Sequence, residues 1–120
     1  MKTYRQNGRI IAVFSTSRPI LTDAQSALDL MMTAKYQAGT NLIAIDRKAV
    51  ARDFFVLSTG LAGEILQKFV NYGFKIAIFG DYSDFTSKPL HDFMWESNRG
   101  QDTFFPATER EAVSRLATSE

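Results

Sequence analysis

The sequence predicts an α/β fold: an N-terminal β-hairpin, then alternating helices and strands, forming a mixed, mostly parallel sheet covered by helices. Three observations carry this. Short apolar runs at Ile10–Phe14, Leu42–Ile45 and Lys75–Phe79 read as strands buried on both faces. Between them, apolar residues recur at three- and four-residue spacing, the period of helices. Asn7-Gly8, between Lys2–Gln6 and Arg9–Ser15, is a strong two-residue hairpin signal. The 120 residues match a single domain by the usual prior of ~100–200 residues. No linker, low-complexity stretch or internal repeat divides them.

Each element has its own signals. Pro19 keeps the loop after the hairpin extended. Thr22 is the expected N-cap of the first helix, with Gln25 reaching back to complete a capping box and Asp23 suiting the first-turn dipole. Ala24, Ala27, Leu28 and Met31 share one face, and Gly39 supplies a left-handed exit. The next strand, Leu42–Ile45, ends at Asp46. The stretch Arg47–Leu57 carries Val50, Phe54, Phe55 and Val56 and reads as a helical turn or short helix against the sheet. The second helix begins near Ser58-Thr59-Gly60, carries Leu61, Ala62, Ile65, Leu66, Phe69 and Val70 on a broad apolar face, and ends at Gly73.

Lys75–Phe79 is the third interior strand, with Gly80-Asp81 at its carboxyl end. After the polar loop Tyr82–Thr86, Ser87 is the expected N-cap of a third helix that tolerates Pro89 in its first turn. Leu90, Phe93 and Met94 face inward and Gly100 closes it. Thr103–Phe105 is a last short strand. Thr108 and Glu111 form a second capping box before a helix with Ala112, Val113 and Leu116 inward. Right-handed crossovers join the parallel strands.

Composition narrows the function. Fourteen Lys and Arg against thirteen Asp and Glu argue against a nucleic-acid binder that works through bulk positive charge. No cysteine is present, which excludes disulfides, thiolate metal sites and Cys nucleophiles. The single histidine, His91, argues against a His-based metal centre or a Ser-His-Asp triad. No catalytic constellation, metal site or cofactor is expected. The N-terminus lacks the apolar core of a signal peptide and no apolar run approaches the ~20 residues of a membrane span. The expectation is a cytoplasmic protein without membrane contact.

Several residues are candidates for a site. Ser58, Thr59 and Gly60 open a helix, where free backbone N–H groups favour an anion or a phosphorylated hydroxyl; the alternative is a simple cap with close helix–sheet packing. Glu64 and Lys68 make an i, i+4 pair on the polar side of that helix, which is either a solvated face or a partner surface. Asp46 and Asp81 follow strands at the edge where open α/β sheets bind ligands, though aspartates there also form turns. Glu96-Ser97-Asn98-Arg99-Gly100 is either a helix stop or a recognition motif, with Arg99 suited to a carboxylate or phosphate. Trp95 falls off the inward stripe and is a candidate interface anchor.

Two resemblances follow from these residues. Asp53-Phe54-Phe55, the run Ser58–Phe69 and Glu96–Gly100 resemble an uncharacterised family of small bacterial proteins catalogued as a domain of unknown function, over nearly the whole chain. The element order also resembles the STAS domain of anti-sigma factor antagonists, in which a strand leads to an Asp-Ser-Ser-Gly-Leu-like turn whose serine is phosphorylated by a kinase. Leu57-Ser58-Thr59-Gly60-Leu61 takes the comparable place, with Leu57 where the acidic residue stands and about eleven residues intervening after Asp46. The resemblance implies a STAS-like fold and a non-enzymatic regulatory or protein-interaction module, switched at Ser58 or Thr59 and docking a protein partner. The alternative reading is a small-ligand or nucleotide-binding protein, an enzyme among the possibilities, using Asp46, Asp81 and Arg99 around the strand ends. A homodimer with a structural role is a third.

Overall fold

In the computed structural model, which describes all of Met1–Glu120, Asn7 and Gly8 take positive φ of 54° and 75°. That is the backbone hand of a two-residue hairpin turn. It pairs Gln6 with Arg9 and Lys2 with Val13, joining β1 (Lys2–Gln6) to β2 (Arg9–Phe14). β3 (Leu42–Asp46), β4 (Lys75–Phe79) and β5 (Thr103–Phe104) follow in parallel, in the spatial order β1-β2-β3-β4-β5. The fold is therefore the expected α/β sheet with an antiparallel hairpin at one edge.

α1 (Ala24–Ala38) starts differently from the sequence expectation. Its N-cap is Asp23, not Thr22. Asp23 Oδ1 accepts the Ser26 N–H at 2.8 Å, and Ser26 Oγ accepts the Asp23 N–H at 3.0 Å. A carboxylate takes a charge-assisted bond and favours the helix dipole, so it outcompetes the neighbouring hydroxyl. Gln25, freed from capping, bonds Asp29 one turn on at 3.1 Å. Gly39 ends α1 at φ 63°.

The segment between β3 and α2 (Leu61–Asn71) is three 3₁₀ turns rather than one short helix: Arg47–Ala49, Arg52–Phe55 and Leu57–Thr59. Backbone demand explains this. The Ile20 and Leu21 N–H groups donate to Ala49 O at 2.7 and 3.0 Å, and the Ala51 N–H donates to Leu21 O at 2.9 Å. Val50 is bridged to Leu21. Peptide groups committed to that bridge cannot also propagate a helix.

α3 (Lys88–Arg99) is capped as expected, Ser87 Oγ accepting the Leu90 N–H at 3.3 Å. β5 is shorter than predicted, because the Phe105 N–H turns to Asn98 Oδ1 at 2.6 Å. α4 (Glu109–Thr118) uses Thr108 as N-cap. Its box is open on one side: Glu111 Oε2 reaches the N–H of Ala107 at 3.3 Å rather than that of Thr108.

The strand order decides the layers. Sequential parallel strands joined by right-handed crossovers put every crossover helix on one face. One core accordingly joins α1, α2 and α3 to Ala12, Phe14, Ile43, Ile45, Ile76 and Ile78. The alternate residues of the same strands, among them Ile11, Val13, Leu42 and Ala44, pack under α4 on the other face.

The cap assignment is testable by urea unfolding. Asp23→Ala is expected to cost about 1 kcal/mol, and Thr22→Ala less than about 0.5 kcal/mol. Equal losses would return the cap to Thr22.

Candidate functional site

Parallel strands deliver their loops to a common carboxyl edge, the usual place for a ligand in an open α/β sheet. Here the loop after β2, the 3₁₀ segment after β3 and the loop after β4 enclose an open groove of 780 Å³. The Leu21–Val50 bridge fastens the first two together. Three cations line the groove, Arg47, Lys48 and Arg52, against one carboxylate, Asp84. Val50, Phe55, Val56, Phe85 and Leu90 supply its apolar surface, and Ser17, Thr86 and Ser87 its hydroxyls.

Arg47 is held from two sides. A Cβ on Gly80 would lie 2.7 Å from Arg47 Cγ and 2.9 Å from Cδ, so the absent side chain makes room for the arginine stem. The guanidinium lies over the Phe85 ring, with Cζ 4.9 Å from its centroid. Phe85 in turn packs on Phe55 and Tyr82, at centroid distances of 5.2 and 5.6 Å. The Tyr82 hydroxyl donates to Ile78 O at 2.6 Å, and burial pushes its pKa far above the ordinary phenol value. His91 Nε2 bonds the Phe85 carbonyl; a carbonyl only accepts, so that nitrogen carries the proton. The Arg47 guanidinium itself has no carboxylate within 4.0 Å: the protein's ion pairs are Lys2–Glu109 and Lys88–Asp92.

A smaller hollow of 440 Å³ at the opposite edge also holds cations, Arg5, Arg9 and Lys75. Two of these are committed: Arg9 donates to the carbonyls of Leu116 and Ser119, and Lys75 to that of Gln101. At the carboxyl-edge groove Arg47, Lys48 and Arg52 have no such carbonyl or carboxylate partner for their side chains.

The residues singled out from the sequence are scattered around it. Asp46 Oδ1 accepts the Lys48 N–H at 2.8 Å and caps the turn that presents Arg47. Asp81 Oδ1 accepts the Ser83 N–H at 2.9 Å. Neither lines the groove, and no group of three or more His, Asp or Glu lies where it could hold a metal ion. Arg99 does not join them. It ends α3, nine residues beyond Leu90 of the groove wall, which places it roughly 14 Å along the helix at 1.5 Å per residue. There its guanidinium stacks on Trp95, 4.5 Å from the ring centroid, and Trp95 is 60% exposed. Asn98 ties α3 to β5 through Phe105. Arg115, not Arg99, donates to the last-turn carbonyls of Asn98 and Gly100.

At the start of α2, the Thr59 hydroxyl donates to Asp53 O and Val56 O at 2.7 and 2.9 Å. Ser58 is exposed and its hydroxyl is free of hydrogen bonds, while Gly60 is the N-cap, with φ 78° and no side chain to cap with. Glu64 is exposed and Lys68 half-buried on α2, and they form no ion pair.

The model of a domain of unknown function, DUF4180, matches residues 6–116. The chain belongs to the DUF4180 family. No curated protein and no solved structure matches it. The DUF4180 match runs from the hairpin to α4 and so takes in every residue of the groove. No helix is long and apolar enough to cross a membrane.

Sequence reasoning passed over the cations of this DUF4180 groove. The signal was present, a basic residue directly after a strand followed by two more within five positions. It lay in the stretch read as packing, and the decisive neighbours, Gly80 and Phe85, come from a loop more than thirty residues away.

Asp81 provides a pH test of this edge. Hydrogen bonds from the Ser83 hydroxyl and N–H, and the Arg47 charge, hold its pKa below the ordinary 3.8. A folded pKa below the unfolded one means stability present above the unfolded pKa and lost as pH falls through the folded one. Asp81→Ala is therefore expected to be less stable than the wild type at about pH 7, with the gap shrinking toward about pH 2. Urea midpoints across that range check it, and a constant gap would exclude the charge as the cause.

Proposed function

We propose that this protein binds a small anionic ligand with an apolar body in the groove at the carboxyl ends of β2, β3 and β4. One observation carries the reading. Arg47 is held by Gly80 and Phe85 and has no carboxylate within 4.0 Å, Asp81 acting on it only through its charge, so its donors are free and pre-positioned. Guanidinium presents a planar fork suited to phosphate or carboxylate, and pre-positioning lowers the entropy cost of binding. Lys48 and Arg52 add charge, and the apolar wall suits a ligand with more than a bare anion. The volume of 780 Å³ falls within the ~300–1,000 Å³ of ordinary ligand sites.

A thermal-shift screen of phosphorylated and carboxylated metabolites tests this. A ligand at about 100 times its Kd adds ~2.7 kcal/mol of stability. Arg47→Ala is expected to weaken binding by about tenfold to a hundredfold, the worth of hydrogen bonds to a charged group. Gly80→Ala, which removes no charge, is expected to weaken it in the same direction by displacing the Arg47 stem. No shift with any anion, or full binding by both variants, would sink the reading.

A second reading is a STAS-like regulatory module switched by phosphorylation of Ser58, with a protein partner on the outer face of α2. The specific support is the exposed, unbonded Ser58 hydroxyl beside a helix start whose N-cap, Gly60, has no side chain, so that only the Leu61 N–H is taken, by Thr59 Oγ at 3.3 Å. A phosphate there meets free N–H groups. Thr59 is a poorer candidate, because its hydroxyl holds the preceding turns together. Phosphopeptide mapping of the protein purified from its native cell is expected to find phosphate on Ser58, and Ser58→Asp to change the partners captured with it. An unmodified Ser58 together with an unchanged partner set would remove this reading.

A further inference from the structure

Asp84 is the unexplained member of the groove. It is exposed and shares the groove lining with three cations, yet it forms no ion pair and no hydrogen bond. A carboxylate in an anion site opposes binding by like-charge repulsion, unless the ligand also brings hydrogen-bond donors to it. The groove thus offers three chemistries together: cations at Arg47, Lys48 and Arg52, an acceptor at Asp84, and an apolar wall on which Val56 stays 50% exposed. Resting on the anion-binding reading above, we infer that the ligand is a nucleoside phosphate. Its phosphates meet the cations, a ribose hydroxyl donates to Asp84, and the base covers Val56.

Two simpler ligands fit less well. A free apolar amino acid would place its carboxylate on Arg47 and its ammonium on Asp84, but it leaves two cations unmatched and most of the 780 Å³ empty. A sugar phosphate satisfies the charges and Asp84 but leaves the apolar wall in water. A nucleoside phosphate matches charge, donor and apolar surface at once.

Calorimetric titration of the full chain tests this with ADP, GDP, a dideoxy analogue of ADP, pyrophosphate and ribose phosphate as probes. One or both nucleotides are expected to bind at least about tenfold tighter than pyrophosphate or ribose phosphate. The dideoxy analogue is expected to lose about tenfold on the wild type, the scale of one hydrogen bond to a charged acceptor, and clearly less on Asp84→Asn, whose amide oxygen accepts without the charge. That variant touches an exposed side chain without partners, so its fold is not at risk. Pyrophosphate or ribose phosphate binding as tightly as the nucleotides, and lost in Arg47→Ala, would overturn the nucleoside inference while keeping the anion site. An unchanged dideoxy penalty in Asp84→Asn would overturn the role of Asp84. No binding by any of these probes would overturn the inference alone, since the reading beneath it stands or falls on the thermal-shift screen of phosphorylated and carboxylated metabolites.

Discussion

A single helix, α4, closes one whole face of the sheet. Three crossover helices are committed to the opposite face by the handedness of their connections. The chain after β5 must therefore return across the strands, and α4 touches β1, β2, β3 and β4 in doing so. Small residues allow the close approach: Ala44 and Ala77 are paired in register and fully buried beneath it. The far hairpin strand is fastened to its start, where Glu109 accepts from Tyr4 at 2.8 Å and pairs with Lys2 at 3.0 Å. Partial burial works against the Glu109 carboxylate, but the bonds from Lys2 and Tyr4 outweigh it and hold its pKa low. A surface pair of this kind adds little stability, about 0–1 kcal/mol. Its effect is to hold the hairpin edge against the first turn of α4.

Closing that face leaves the carboxyl edge free for other work. The loops there are packed and cross-linked. The Leu21–Val50 bridge ties the β2 loop to the β3 segment, and Phe55, Tyr82 and Phe85 form an aromatic platform shared by the β3 and β4 segments. Tyr82 is anchored in turn against Phe105, 6.0 Å away, just beyond β5. A cation mounted on this platform is held by core packing and spends little freedom on binding.

Gly80 illustrates how the two needs meet. Its φ of 155° is open to glycine and strained for other residues. The missing side chain gives Arg47 its channel past the strand end. The same residue lets β4 turn away and lets Arg47 reach Phe85, so backbone geometry and ligand geometry are coupled at one position.

The sequence by itself determined the element types, because period-two and period-3.6 apolar patterns and strong punctuation such as Asn7-Gly8, Gly39 and Ser87 are local. It missed where local groups compete: Asp23 over Thr22 at a cap, and Ala49 and Val50 drawn from a helix into a bridge with Leu21. It also read the edge from single residues. Asp46 and Asp81 each accept an N–H of the turn that follows and lie outside the groove lining, while Arg99 stands apart from them at the far end of α3. Only the tertiary structure decided the groove, since Arg47, Gly80, Phe85 and Asp84 meet through strand order and crossover direction. Contacts between residues so far apart in the chain leave no periodic trace in the sequence, whereas a strand or a cap is specified by its own few neighbours.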